Sequence, residues 1–216
     1  MRMVMRFGKN ARLRFISHLD LQRFYQRALN RSGLPIAFSQ GFNPHPVMAF
    51  ASALALGWTS EYEMLDVKLA VPIGRRKAEE AMRGALPEGL PVLEVKLIDD
   101  RASSLMPLVR ASDYRISGSG ISREMLDDFL ARESVMAMRK TKSGEKLVDI
   151  RPMALDLRLE DGDLMARLSL TDKDTLKPDL LVRTITGTDP EAMRIHRLAL
   201  LGEGGEEGLA PLMKLI

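Results

Sequence analysis

Residues 1–100 divide, by the spacing of their apolar positions, into strand-like and helical segments. Residues 2–7 (RMVMRF) alternate basic and apolar side chains, which predicts a strand. Ser17 is well placed to cap a helix that runs to about Ser32 and stops at Gly33. Apolar residues at helical spacing form the predicted buried face of this helix, namely Leu21, Phe24, Tyr25, Ala28 and Leu29.

The remainder of this region adds two more strands, a helix and a last strand. The two strands are predicted at residues 47–54 and 61–70 and join near Gly57. The helix is predicted at residues 74–86 and the last strand at residues 92–97. The resulting order, β-α-β-β-α-β, is the split βαβ pattern of a ferredoxin-like fold.

The same order of elements recurs after a linker at residues 99–110. The predicted elements are a strand at 113–117, a helix capped by Ser122, a hairpin turning at 142–144, a second hairpin over 155–170, a helix at 178–184 and a strand at 195–201. We therefore predict an α+β protein of two tandem ferredoxin-like units, residues 1–100 and 111–201, followed by a glycine-rich link and an apolar tail at 202–216. A single α/β domain with one larger mixed sheet is the alternative.

Composition excludes several classes of protein. The chain has no cysteine, which rules out disulfides, cysteine-ligated zinc and an iron–sulfur cluster, and agrees with a reducing compartment. The longest apolar run, residues 47–58, is too short to span a bilayer, and the first residues lack the pattern of a signal peptide. We expect a cytoplasmic protein that does not associate with membranes, and we predict no cofactor and no metal.

Charge is distributed unevenly along the chain. Residues 1–50 hold seven arginines and one lysine against one acid, Asp20, whereas the remaining residues sum to −4. This asymmetry indicates an anionic partner of the N-terminal region, namely nucleic acid, a phosphorylated metabolite or an acidic protein. Arginine suits bidentate contacts with phosphate, which favours the first two. The alternative is that the arginines pair with acids from the later part of the chain.

The first predicted helix carries a stripe of arginines with amide side chains beside it. The arginines are Arg23, Arg27 and Arg31, and the amides are Gln22, Gln26 and Asn30. Like charges at this spacing repel by a few tenths of a kcal/mol per pair unless an anion lies against them. The stripe therefore suits a nucleic-acid backbone, with some contact to base edges. The alternative is a solvated face balanced by Glu61, Glu63 and Asp66.

Two histidines define a candidate site. His18 lies in the first turn of that helix, where the helix dipole favours the neutral imidazole, and His45 lies in the loop GFNPHP (residues 41–46). If the loop folds over the helix start, the two histidines converge with Asp20 near the cations Lys9, Arg12 and Arg14. The predicted pocket consists of His18, Asp20, Arg23, Ser39, Asn43 and His45, and Phe42 is predicted to be exposed and able to stack on a base.

This arrangement supports two interpretations. Two histidines and a cation are the minimum for metal-free cleavage of an RNA phosphodiester, with one imidazole as base and the other as acid. Alternatively, both histidines hydrogen-bond to the backbone and hold the loop in place. A metal held by His18, His45 and Asp20 has no support from a spacing signature.

The run from Arg14 to Tyr62, with the segments RFISHLDLQRFYQRALNRSGLPIAFSQGFNPHP and LALGWTSEYEMLDV, resembles a known family. It is similar to the radical-SAM-linked proteins, a bacterial domain of unknown function found beside or fused to radical SAM enzymes. The matching positions are Phe15, Ser17, His18, Asp20, Arg27, Ala28, Pro35, Ser39, Gly41, Phe42, Asn43, Pro44, His45, Pro46, Gly57, Ser60 and Glu61. The resemblance implies an accessory role beside a separate radical SAM enzyme, since a chain without cysteine cannot hold the cluster itself.

Three functional hypotheses follow. The first is an accessory RNA-binding or substrate-presenting protein that acts with a radical SAM enzyme, in the modification of tRNA or ribosomal RNA. The second is a metal-independent endoribonuclease that uses His18 and His45. The third is a protein–protein adaptor that binds no nucleic acid and docks through the GFNPHP loop and a methionine-rich surface of the protein. Whether the protein is an enzyme is left open by the sequence.

Overall fold

A computed structural model describes residues 1–141, 144–188 and 192–216 as an α+β protein with four α-helices and eleven strands in that part of the chain. The elements of the N-terminal part are β1 (Arg2–Lys9), α1 (His18–Arg31), β2 (Met48–Phe50), β3 (Thr59–Lys68), α2 (Arg75–Ala85) and β4 (Val92–Ile98). The later elements are β5 (Ala111–Ser117), α3 (Arg123–Ala131), β6 (Met136–Thr141), β7 (Gly144–Asp149), β8 (Ala154–Glu160), β9 (Asp163–Ser169), α4 (Pro178–Thr186), β10 (Arg194–Glu203) and β11 (Leu209–Pro211). Nine of the strands belong to one large mixed sheet, the alternative that the sequence offers, and β6 and β7 form a separate pair.

The chain divides into two compact units. The first unit comprises Met1–Val109 together with Gly202–Ile216, and the second comprises Arg110–Leu201. The division after residue 109 falls in the predicted linker, and residues 202–216 cluster with the first unit.

The first unit has the strand order expected of a ferredoxin-like unit. Its strands run in the order β4-β1-β3, with β2 paired to the other side of β3, and each of these pairs is antiparallel. Met3, Met5 and Phe7 alternate along β1 and face a core that includes residues of both α1 and α2. This alternation places one face of β1 against the helices, as the sequence pattern predicts.

The predicted ends of α1 are confirmed. The Ser17 hydroxyl accepts a hydrogen bond from the backbone N–H of Asp20 at 3.1 Å, and Gly33 adopts a positive φ of 69° just beyond the helix. Phe24 is only partly buried, whereas the other four residues of the predicted stripe are in the core. Strand β2 is shorter than predicted because only Met48–Phe50 pairs with β3. Within the described residues, no helix is both long and apolar enough to cross a bilayer.

The C-terminal tail packs onto the first unit. The Met213 N–H donates a hydrogen bond to the Tyr62 hydroxyl at 3.1 Å, and the side chains of Leu212 and Met213 are buried. The Lys96 ammonium donates to the carbonyl oxygens of Met213 at 2.7 Å and Ile216 at 3.0 Å. The apolar residues of the tail therefore extend the core of this unit.

The second unit has the same kind of strand order. Its strands run β10-β5-β9-β8, each pair antiparallel, and the β6–β7 hairpin is inserted between α3 and β8. Ser122 caps α3 as predicted, by accepting a hydrogen bond from the Met125 N–H at 3.2 Å. The predicted turn of the inserted hairpin includes Lys142 and Ser143, which lie outside the described residues.

Candidate nucleic-acid interface

The arginine stripe of α1 is exposed. The Arg23 guanidinium lies 3.5 Å from the Asp20 carboxylate one turn earlier, at the edge of ion-pair distance. Arg31 donates a hydrogen bond to the carbonyl oxygen of Ala85 at 3.4 Å. Arg27 forms no ion pair in the part of the chain that the structure describes. The stripe therefore keeps most of its positive charge toward solvent.

Two of the acids proposed to balance this stripe, Asp66 and Glu63, are buried. The Asp66 carboxylate accepts from Arg2 through two nitrogens, Nε at 3.0 Å and Nη2 at 2.5 Å. Glu63 is only 2% exposed and lies in β3, where its backbone pairs with that of Phe7. Glu61, on the same strand, is exposed. Glu63 and Asp66 therefore do not lie on a solvated face with the arginines.

Two further arginines precede α1, next to an exposed aromatic ring. The Asn10 side chain accepts a hydrogen bond from the Arg12 N–H at 3.2 Å and starts a short 3-10 turn. Arg12 and Arg14 are both exposed. The Arg14 guanidinium lies 4.6 Å from the centroid of the Phe15 ring, and 69% of Phe15 is exposed. Phe15 is therefore accessible to solvent on the same short segment as the two arginines.

The GFNPHP loop is held by hydrogen bonds of its own and presents one aromatic ring. The Ser39 hydroxyl lies 3.0 Å from His45 Nδ1 and accepts a hydrogen bond from the His45 backbone N–H at 3.1 Å. His45 Nδ1 also lies 3.3 Å from the carbonyl oxygen of Asn43. Gly41 has a φ of 127°, a conformation that favours glycine. Phe42 is fully exposed, as the sequence predicts.

His18 packs against an aromatic side chain of β2. It is half-buried, with its ring edge-on to Phe50 at a centroid distance of 5.1 Å. Burial lowers the pKa of His18, the Glu63 charge raises it and the Lys9 charge lowers it again. Burial is the largest of these effects, so the pKa of His18 lies below its ordinary value and the neutral imidazole is favoured.

Hydrogen bonds and one ion pair join five of the six residues of the predicted pocket in two sets. Ser39, Asn43 and His45 interact within the loop, whereas Asp20 and Arg23 interact on α1. No hydrogen bond or ring contact joins His18 to His45 in the described chain. The Ser17 hydroxyl donates to the Asp20 carboxylate at 2.7 Å, so this carboxylate occupies the start of the helix. Across the described residues, no group of three or more histidine and carboxylate side chains is arranged to hold a metal ion.

A buried polar cluster that the sequence did not reveal supports the segment before α1. Lys9 is 1% exposed, and its ammonium donates to the carbonyl oxygens of Arg14 at 3.2 Å and Ile16 at 2.9 Å. Burial lowers the pKa of Lys9, and the Glu63 charge opposes this. Burial also raises the pKa of Tyr25, with a further contribution from Glu63. The alternation of β1 is a signal for this, because Lys9 continues the inward positions of that strand.

Comparison with known proteins gives one family and one structural likeness. The sequence profile of a bacterial family, described as "Uncharacterized protein conserved in bacteria (DUF2344)", matches residues 2–178. The chain is similar to a chain of the structure titled "Crystal Structure of a Cbf5-Nop10-Gar1 Complex", with 8% identity and a TM-score of 0.47. That likeness covers 90% of this chain and 47% of the other, so this chain spans less than half of its length. No curated protein matches the chain.

Proposed function

We propose that this chain, which belongs to the bacterial protein family DUF2344, binds single-stranded RNA through its first unit. The residues that would contact RNA form what we call the arginine–phenylalanine surface, defined as Arg12, Arg14, Phe15, Arg23, Arg27, Arg31 and Phe42. One observation carries the proposal. An arginine is already stacked on an exposed ring at Arg14 and Phe15, beside further exposed arginines that have few partners of their own.

The chemistry of these side chains suits RNA. Guanidinium groups bind phosphate oxygens in a bidentate manner and also stack on planar rings. Exposed phenylalanine rings offer a face to an unpaired base, and each such stack is worth about 1–3 kcal/mol. A duplex hides the faces of its bases, so the presence of Phe15 and Phe42 favours a single strand.

The resemblance to radical-SAM-linked proteins supports a more specific role. In this proposal the protein presents tRNA or ribosomal RNA to a separate radical SAM enzyme, which holds the iron–sulfur cluster that a chain without cysteine cannot hold. The expected result is that the two proteins co-purify from bacterial cells and that treatment with ribonuclease reduces the yield of the complex.

Binding is favoured over cleavage by the state of the two histidines. A nuclease mechanism requires both imidazoles within hydrogen-bond reach of one phosphodiester. His45 Nδ1 already lies within 3.0 Å of the Ser39 hydroxyl, and His18 packs on Phe50. Both rings thus have contacts that hold the local structure.

The test is a comparison of two double variants of the full chain. Binding of a fluorescent single-stranded RNA is measured by anisotropy at low salt. Arg12→Gln with Arg27→Gln is expected to weaken binding by roughly tenfold or more, because two phosphate contacts are lost.

The matched control is Arg75→Gln with Arg123→Gln, which removes the same charge from exposed positions on α2 and α3. This control is expected to change affinity by less than about threefold, because charges outside the arginine–phenylalanine surface make no direct phosphate contact in this proposal. If the two double variants weaken RNA binding equally, the result contradicts a binding surface on α1. The affinity would then come only from attraction between RNA and the net positive charge of the protein. Binding of a protein partner without RNA would favour the adaptor.

A further inference from the structure

The second unit contains a cavity of about 450 Å³ with a strongly cationic lining. The lining is formed by the end of β6, the segment between β9 and α4, and the first turns of α4. Its cationic side chains are Arg139, Lys140, Lys173, Lys177 and Arg183. The carboxylates in the lining are Asp172 and Asp179, so the cavity has a net charge of +3.

Three of the cationic side chains in the lining are lysines. Within the described residues, no carboxylate forms an ion pair with Lys140, Lys173 or Lys177. Positive groups crowded around one concave space repel each other and focus a positive potential into it. An anion with several negative charges would relieve this repulsion.

The backbone around the cavity is held in place before any ligand binds. Arg139 donates a hydrogen bond to the carbonyl oxygen of Thr175 at 3.2 Å. The turn that carries Lys173 is closed by two bonds, from the Asp174 N–H to the Thr171 hydroxyl at 2.9 Å and from the Thr171 N–H to the Asp174 carbonyl at 3.1 Å. A cavity that is already ordered loses less conformational entropy when a ligand binds.

We propose that this cavity binds a small organic diphosphate or triphosphate. Its volume lies within the range of about 300–1,000 Å³ that is usual for small-molecule sites. Its net charge matches the charge of a diphosphate or triphosphate group, and Leu180 supplies an apolar contact for the organic part. An RNA strand is the less suitable ligand because no aromatic side chain lines the cavity. The proposal is independent of RNA binding by the first unit.

The experiment is calorimetric titration of the full chain with inorganic pyrophosphate, ADP and adenosine, in buffer that contains EDTA. Pyrophosphate and ADP are expected to bind, ADP more tightly, and adenosine is expected not to bind. The double variant Lys173→Gln with Lys177→Gln is expected to weaken ADP binding by roughly tenfold or more, because two charge-assisted contacts are lost. Both lysines are exposed, so the melting temperature without ligand checks that the fold is retained.

Two controls locate the binding. Arg75→Gln with Lys77→Gln on α2 removes the same two charges from exposed positions and is expected to leave ADP binding unchanged. Arg12→Gln with Arg27→Gln is also expected to leave it unchanged, which separates this cavity from the arginine–phenylalanine surface. The proposal is overturned if neither ADP nor pyrophosphate binds, if adenosine binds as well as ADP, or if the lysine double variant binds ADP like the wild type.

Discussion

The Arg14 guanidinium stacks on the Phe15 ring at 4.6 Å while the ring stays mostly exposed to solvent. The backbone beneath this pair is fixed, because the Arg14 carbonyl accepts hydrogen bonds from the Lys9 ammonium at 3.2 Å and the Gly57 N–H at 2.8 Å. The buried Lys9 ammonium therefore fixes the backbone of the segment that carries the exposed Arg14 guanidinium. This ordering lowers the entropic cost of binding an RNA base and its phosphate together.

Phe42→Ala should weaken RNA binding without affecting the fold. The ring is fully exposed and contributes no burial to the core, so the midpoint of urea unfolding should stay unchanged. Loss of one base stack is expected to reduce affinity by about 5- to 150-fold, which corresponds to about 1–3 kcal/mol. Anisotropy with a single-stranded RNA measures this change.

The matched control for Phe42 is Leu155→Ala, an exposed apolar residue of the second unit. It should bind RNA as the wild type does. If Phe42→Ala also binds like the wild type, Phe42 is not part of the binding surface.

Tyr25→Phe should leave stability unchanged or raise it. The Tyr25 hydroxyl is buried and has no hydrogen-bond partner among the described protein atoms. Removing an unpaired buried hydroxyl removes its desolvation penalty, so the free energy of unfolding is expected to rise by between zero and about 2 kcal/mol. Urea denaturation at neutral pH measures the difference.

Tyr62→Phe is the matched comparison for Tyr25→Phe, because the Tyr62 hydroxyl accepts the Met213 N–H at 3.1 Å. Its loss leaves that N–H unpaired and is expected to lower the free energy of unfolding by about 1–3 kcal/mol. A loss of stability in Tyr25→Phe as large as in Tyr62→Phe would show that the Tyr25 hydroxyl does have a partner.

His18 should make the fold less stable in mild acid. Its pKa in the folded state is lowered, chiefly by burial, from the value of 6.5 expected in the unfolded chain. Below pH 6.5 the unfolded chain therefore binds a proton that the folded chain does not, and stability falls as the pH falls. Above pH 6.5 the imidazole is neutral in both states and this contribution to pH dependence disappears.

The variant His18→Phe should lose less stability than the wild type when the pH is lowered from 7.5 to below 6.5. Melting temperatures recorded across this range measure the effect, with the difference at pH 7.5 as the baseline for the substitution itself. Parallel curves for the two proteins would contradict the lowered pKa of His18.

Leu212→Ala should destabilise the first unit. Leu212 is fully buried where the C-terminal tail packs, so truncation leaves a cavity and is expected to cost about 2–5 kcal/mol in urea unfolding. Leu215→Ala, at a neighbouring position that is 38% exposed, is expected to cost less than about 1.5 kcal/mol. Similar losses in both variants would mean that Leu212 does not contribute to the core.

Local features allowed the ends of α1 and the order of elements to be predicted from the sequence. Ser17 and Gly33 act on the backbone within a few residues of themselves, so their effect is visible in the sequence. The alternation of Met3, Met5 and Phe7 likewise identifies the inward face of β1. Such signals depend on spacing alone.

The burial of charged groups could not be predicted in the same way. The alternative interpretation of the arginine stripe takes Asp66 and Glu63 as surface acids, yet Asp66 is paired with Arg2, which lies 64 positions earlier in the chain. Lys9 is buried because it satisfies two carbonyl groups of the turn before α1. The contact between Arg2 and Asp66 depends on the tertiary fold and leaves no periodic pattern, whereas Lys9 continues the alternation of β1.

The cationic cavity of the second unit could not be predicted from the net charge of residues 51–216. Arg139 comes from β6, whereas Lys173 and Lys177 come from the segment before α4. Residues 51–216 together carry a net charge of −4, which gave no sign of a local cluster. Only the fold brings these side chains to one concave surface.

The dependence of RNA affinity on salt tests the proposed binding surface most directly. Each phosphate neutralised on a single strand contributes about −0.7 to the slope of log K against log salt concentration. With three to five arginines engaged, we predict a slope between about −2 and −3.5 for the wild type and a slope about 1.4 shallower for Arg12→Gln with Arg27→Gln. Binding that is absent at low salt, or that does not change with salt concentration, would contradict RNA binding through these arginines.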